Sequence, residues 1–234
     1  MSATPAALLP DDETERLRSV RAYDLLPALI EPVFDEFVAL AAQVFSLPIS
    51  LIAVVEEDDV YYPTNYGMPG NDQQPRVAAL CSTAIQQARA VVYHDLVLED
   101  GASLTPEAAR ATQDNALRFY AGALLRLPDQ HALGTLCIID REPRTFSADE
   151  QRILDHLAAL VSQTIAVRHA CHARPRDGAS HWVELRTQLQ GELRELTALV
   201  RYLFTRHGVH IPVPSDLLVQ VERRLLDLQR FLGG

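Results

Sequence analysis

The chain has 234 residues, 48% of them hydrophobic, with a formal charge of −10 and three cysteines. That hydrophobic share excludes wholesale disorder, and the length suits one good-sized domain with an appendage or two small domains. Residues 1–170 hold 12 Arg against 24 Asp and Glu, whereas residues 171–234 hold 9 Arg against 7. So acidic a body repels phosphate backbones, which argues against a nucleic-acid partner.

Cys81, Cys137 and Cys171 form no C-x-x-C pair and show no metal-ligand spacing. The opening residues lack the basic and apolar regions of a signal peptide, and no apolar run approaches a membrane span. The expectation is a cytoplasmic protein with reduced thiols, no metal and no membrane partner, with any cofactor left open.

Residues 1–10 read as a loose arm. From Asp11 to Tyr23 the charged, amphipathic pattern predicts an exposed helix, interrupted by Pro27 and Pro32. Val33, Phe34, Phe37, Leu40, Ala41 and Val44 then recur at helical spacing. After Pro48, ISLIAVV has the composition of a buried strand, and VYYPTNY beyond the acidic turn Glu56–Asp59 is its hairpin partner. Pro63 makes that partner an edge strand or one that ends early, and Gly67–Pro75 reads as a loop.

Helical spacing returns over residues 76–90, and VVY at 91–93 is a short strand. The stretch 94–117 is polar and acidic, with weak helical character at Thr105–Thr112; connections of that length are often binding loops or lids. RFYAGALL (118–125) and HALGTLCIID (131–140) form a second hairpin. Ser147 and Glu150 make a capping box that opens a helix through Ile165 toward His169. Helix, hairpin, helix, strand, long loop, hairpin, helix is the order of an α+β fold with an antiparallel sheet flanked by helices.

ERLRSVRAYDLL (15–26), FDEFVALAAQVFSLPISLIAVVEEDDVYY (34–62), PRVAALCSTAI (75–85), RFYAGALL and LGTLCIIDREPRTFSADEQRILDHLAALV (133–161) resemble the GAF domains found in bacterial histidine kinases and cyclic-dinucleotide enzymes, or alone. The resemblance covers residues 12–168. It implies a six-stranded antiparallel sheet and a pocket between that sheet, the helix 76–88 and the loop 94–117. The chain departs from the family at Tyr61, Tyr62 and Pro63, where tryptophan and lysine are usual, and at Leu124, where proline is. The loop 94–117 also lacks the family's D-x-R-F-x-x-N-P run, so no known ligand carries over.

Tyr62, Cys81, His94, Arg118, Tyr120 and Cys137 are the candidate ligand-binding residues. Cys81 lies on the apolar stripe of its helix and Cys137 inside a buried strand, where a free cysteine behaves as a small hydrophobe. Some relatives reduce oxidised free methionine or attach a bilin through cysteines, but Cys81 and Cys137 do not sit where those cysteines lie. Alternation puts Arg118, Tyr120 and Gly122 on one face of their strand. Arg118 either holds an anionic ligand by forked hydrogen bonds or pairs with Asp95, Asp114 or Asp140. Asp140 and Arg144 suggest a turn clasp. His94 is a lone loop histidine, and no catalytic motif is present.

HARPRDGAS lies within a linker at 171–180, followed by a helical hairpin tail over 181–234. Trp182, Leu185, Leu189, Leu193, Leu196, Val200 and Leu203 form one apolar stripe, and Leu218, Val221, Leu225, Leu228 and Leu232 form another at heptad spacing. These stripes bury against the sensor domain or a second subunit. VELRTQL (183–189) resembles a kinase phospho-acceptor box with Val183 in place of the acceptor histidine. The expectation is a non-enzymatic signalling protein: a small molecule or partner is sensed by the domain over 11–170 and relayed through a tail that binds a second copy or a signalling partner. A thiol-dependent reductase of free methionine sulfoxide and a ligand-free interaction scaffold are the competing readings.

Overall fold

A computed structural model describes residues 8–68, 70, 72–99 and 104–233; most of the N-terminal arm therefore lies outside the described residues. Helices α1 (Glu13–Ala22), α2 (Leu25–Leu29) and α3 (Pro32–Phe45) lead into the hairpin β1 (Ile49–Val55) and β2 (Asp59–Tyr66). Short strand β3 (Gln73–Pro75), helix α4 (Leu80–Gln87), strand β4 (Val91–Tyr93) and helix α5 (Pro106–Asp114) follow. The second hairpin is β5 (Phe119–Arg126) and β6 (Ala132–Asp140), and helices α6 (Ala148–His172), α7 (Gly178–His207) and α8 (Ser215–Gly233) complete the chain. The six strands make one sheet in the order β3-β2-β1-β6-β5-β4, and every pair is antiparallel.

The period-2 pattern of the central strands splits the core into two layers. Ile52, Val54, Phe119, Ala121, Leu136 and Ile138 face Phe34, Phe37, Leu40, Leu157 and Val161 of α3 and α6. Leu51, Ala53, Tyr120, Cys137 and Ile139 face the opposite side, under Leu80, Cys81, Ala84 and Ile85 of α4. Because both faces are covered, β1 is buried at every position.

Pro63 sits in a β-bulge, where the register jumps from Ile52 opposite Thr64 to Val54 opposite Tyr61. β3 pairs only with Asp59–Tyr61, so among the described residues Pro63 has no strand neighbour on that side, where proline withholds its donor. The bulge also turns Tyr62 toward α4, while the Thr64 hydroxyl donates to the Leu29 carbonyl on the other face at 2.6 Å.

Three local expectations are corrected. The loop read over Gly67–Pro75 contains strand β3, and Pro27 lies inside the short helix α2 rather than ending helical structure. Helix α1 is not simply exposed: Arg16 is buried and donates to the carbonyls of Val55 and Ala132 at 2.8 and 3.1 Å. Arg16 shares the Glu13 carboxylate with buried Arg76, at 2.8 and 2.5 Å. Burial pulls the Glu13 carboxyl upward, but hydrogen bonds from Arg16 and Arg76 outweigh it and leave its pKa lowered.

The tail helices pack on the sheet-bearing domain. Leu189, Leu193, Leu196 and Val200 of α7 and Leu218, Val221 and Leu225 of α8 belong to the same apolar core as α3 and α6. Helix α6 runs to His172 and α7 begins at Gly178, so the joint between them is residues 173–177. Glu31, which precedes α3, gathers Arg168 of α6 together with Trp182 Nε1 and Arg186 Nη1 of α7, the last two at 2.9 Å. Helix α8 meets α6 through Glu222, which accepts from Arg152 at 2.9 Å. Such rim pairs fix register, whereas each buried leucine stabilises the docked tail by about 1.5–3 kcal/mol.

Candidate functional site

Four of the six candidate residues meet in one cavity between the sheet and its α4–α5 cover. Tyr62, Cys81, Tyr120 and Cys137 line it, with Met68 and Ala111 among their neighbours. β2 brings Tyr62 through the bulge, β5 and β6 bring Tyr120 and Cys137 by alternation, and the apolar stripe of α4 turns Cys81 inward. The cavity volume is about 30 Å³, room for only a water or two.

Helix α5 closes the outer wall. Thr105 caps it by accepting from the Ala108 N–H at 3.0 Å, and the same hydroxyl donates to the Val77 carbonyl at 2.5 Å. The cover is thus tied to the turn before α4. Residues 100–103 of the long connection lie outside the described residues.

His94 and Arg118 lie outside this cavity. The Arg118 guanidinium forks onto Asp95, with Nε and Nη2 donating at 2.7 and 2.6 Å. That hydrogen-bonded guanidinium holds the Asp95 carboxyl below its ordinary range. His94 pairs with Arg144: its Nδ1 lies 2.9 Å from the Arg144 carbonyl, and its own carbonyl accepts the Arg144 N–H at 3.0 Å.

The turn clasp expected between Asp140 and Arg144 is corrected. Asp140 instead accepts from the Arg141 and Glu142 N–H groups, at 2.7 and 3.4 Å. Arg144 is buried and donates to Glu150 Oε1 and to the Phe45 carbonyl, both at 2.6 Å. Glu150 closes the capping box with Ser147 and also accepts the Val213 N–H at 3.1 Å, in the α7–α8 connection. Sequence reading found the capping box; it missed Arg144 as a partner because the cap already gave the Glu150 carboxylate a role, and it missed the tail contact because Val213 lies 63 residues away.

Inside the cavity, the Tyr120 hydroxyl donates to the Cys81 sulfur at 3.4 Å, and the Cys137 thiol donates to the Leu51 carbonyl at 3.6 Å. Burial pushes the Tyr62 and Tyr120 hydroxyls well above their ordinary range, so both remain donors. The arrangement offers polar tips in a closely packed apolar space. Among the described residues no cluster of three or more His, Cys, Asp or Glu could hold a metal ion, and no helix is long and apolar enough to cross a membrane.

Comparison with known proteins places this geometry. The model of the GAF domain matches residues 30–165. The chain is 30% identical over 217 residues to a cyclic di-GMP phosphodiesterase of Pseudomonas aeruginosa, covering 92% of this chain and 34% of that protein. The chain therefore spans about a third of that relative's length. Its fold is similar to the GAF domain of PixJ from Thermosynechococcus elongatus, solved in its blue-light absorbing form. The TM-score is 0.51 at 16% identity, over 63% of this chain and 90% of that one. The expectation of a non-enzymatic protein is corrected by the phosphodiesterase, an enzyme similar to nearly the whole chain. With that match over residues 30–165, and with a six-stranded sheet roofed by α4 and α5, the chain belongs to the GAF domain family of signalling and sensing proteins.

Proposed function

We propose that the chain is a sensing element in cyclic di-GMP signalling, in which occupancy of the α4–α5 pocket governs hydrolysis of the dinucleotide. The observation that carries this reading is the extent of the likeness to the phosphodiesterase. It runs over 92% of the chain, well beyond the segment 30–165 and into the tail. Sensor and tail thus occur together in a protein that bears that activity's name.

The pocket is nearly filled in this conformation, so a metabolite enters by displacing α5. That is a population shift between closed and open covers. The movement reaches the tail through His94, Arg144 and Glu150, which joins the α7–α8 connection. We place the contact with a signalling partner or a second copy on the outer face of α7, where Val183, Leu199 and Tyr202 are exposed.

The test is the cyclic di-GMP content of host cells carrying the wild-type gene, a deletion, or Ala111→Leu, which fills the pocket from α5. The reading predicts that deletion and the filled pocket both shift the dinucleotide level. An unchanged level in the deletion strain, under conditions where the protein is present in the wild type, contradicts it.

A further inference from the structure

Cys81 and Cys137 line the cavity, and the metabolite reading gives neither thiol a task. Cys81 is the second residue of α4, so its sulfur sits at the positive end of the helix dipole, where a thiolate is stabilised. The Tyr120 hydroxyl donates to this sulfur at 3.4 Å. Gly122 makes that contact possible, because a Cβ there would collide with the Tyr120 hydroxyl.

Cys137 stands opposite Gly122 in the sheet, beneath the Tyr120 hydroxyl that reaches Cys81, and lines the same cavity as Cys81. The Thr135 hydroxyl, two residues before Cys137 and so on the same face of β6, is buried without a hydrogen-bond partner among the described residues. Interaction with Cys137, against the opposing pull of burial and with help from the two hydroxyls, lowers the Cys81 thiol to about 7. The same interaction pushes Cys137 upward. Cys171, by contrast, is at the end of α6 in the other layer of the core.

A nucleophilic sulfur and a second thiol lining one cavity of water-like dimensions make one site. We propose that Cys81 and Cys137 form a dithiol that hydrogen peroxide oxidises to an intramolecular disulfide. The Cys81 thiolate attacks one peroxide oxygen and the O–O bond breaks, leaving Cys81 as a sulfenic acid. The other oxygen departs as hydroxide and takes up the proton that Cys81 released. The Cys137 sulfur then attacks the Cys81 sulfur, the S–O bond breaks, and water leaves with the Cys137 proton. Two thiols have lost two hydrogens, and one peroxide has become two waters. Tyr120 is a positioning residue that steadies the thiolate. The product cross-links α4 to β6, locking the pocket floor to its roof, and this chemistry does not depend on a metabolite ever occupying the pocket.

The test uses the full chain, reduced, desalted and treated with one equivalent of hydrogen peroxide at neutral pH. Intact mass is expected to fall by two hydrogens, and non-reducing peptide mapping to show Cys81 joined to Cys137 with Cys171 unmodified. In Cys137→Ser, Cys81 gains one oxygen that dimedone captures. Tyr120→Phe slows the reaction about tenfold, the equivalent of one charge-assisted hydrogen bond. Oxidation of Cys81 no faster than of Cys171, or wild-type oxidation without the Cys81–Cys137 link, overturns the proposal. Both readings come from the wild-type chain, so they hold whether or not a variant folds.

Discussion

The backbone N–H of Val213 donates to the buried carboxylate of Glu150 at 3.1 Å, fastening the connection between the last two helices to the sensing domain. The same oxygen accepts from Arg144 at 2.6 Å, and the Arg144 backbone in turn meets the ring and the carbonyl of His94, just after β4. One carboxylate therefore stands between the residue that follows β4 and the tail.

Replacing that carboxylate leaves Arg144 buried without its counter-charge. Glu150→Ala is expected to destabilise the protein by about 3–5 kcal/mol, read from the midpoint of urea denaturation at unchanged slope. A loss below about 1 kcal/mol, the range of exposed pairs, contradicts the assignment.

Trp182 is the chain's single tryptophan and donates to Glu31, so its fluorescence reports docking of α7. Burial raises the Glu31 carboxyl, but Arg168, Trp182 and Arg186 outweigh that and hold it below an ordinary 4.5. A lowered folded pKa gives stability that is complete above the unfolded value and lost as pH falls through the folded one. Trp182 emission is therefore expected to stay constant down to about pH 4.5 and to change only in more acid solution. In Glu31→Gln that acid step disappears.

Leu193 is wholly buried between α7 and the sheet-bearing domain. Leu193→Ala is expected to destabilise the whole protein by about 2–5 kcal/mol, as deletion of a core leucine does, with one cooperative transition in circular dichroism. A separate early transition of the tail alone contradicts the shared core.

Gly122→Ala pushes the Tyr120 ring away from Cys81. The Cys81 thiol, otherwise lowered to about 7, loses a donor to its ionised form and is expected to titrate higher. Measuring its alkylation rate against pH checks this: the midpoint moves up in the variant. An unmoved midpoint means that Tyr120 does not hold the thiolate.

Much of this fold is written in local pattern. The seven apolar residues of β1, the alternation of Arg118, Tyr120 and Gly122, and the Ser147–Glu150 box each state their structure within a few residues. The cavity wall followed from the same alternation, since Tyr120 and Cys137 fall on one face of paired strands. What stayed hidden depends on distance along the chain. Arg16 looks like a surface helix residue until Val55, Ala132 and Arg76 close around it. β3 has no apolar alternation, because an edge strand needs only a backbone partner. The stripes of α7 and α8 showed that something must cover them, but only packing revealed α3 and α6 as the cover.

The most direct test of coupling between pocket and tail is amide hydrogen exchange in the wild-type chain and in Arg118→Ala, which frees Asp95 and with it the start of the cover. The account predicts faster exchange at the Arg144 and Val213 amides as well as in the connection before α5. Faster exchange confined to that connection, with Val213 as protected as in the wild type, contradicts it.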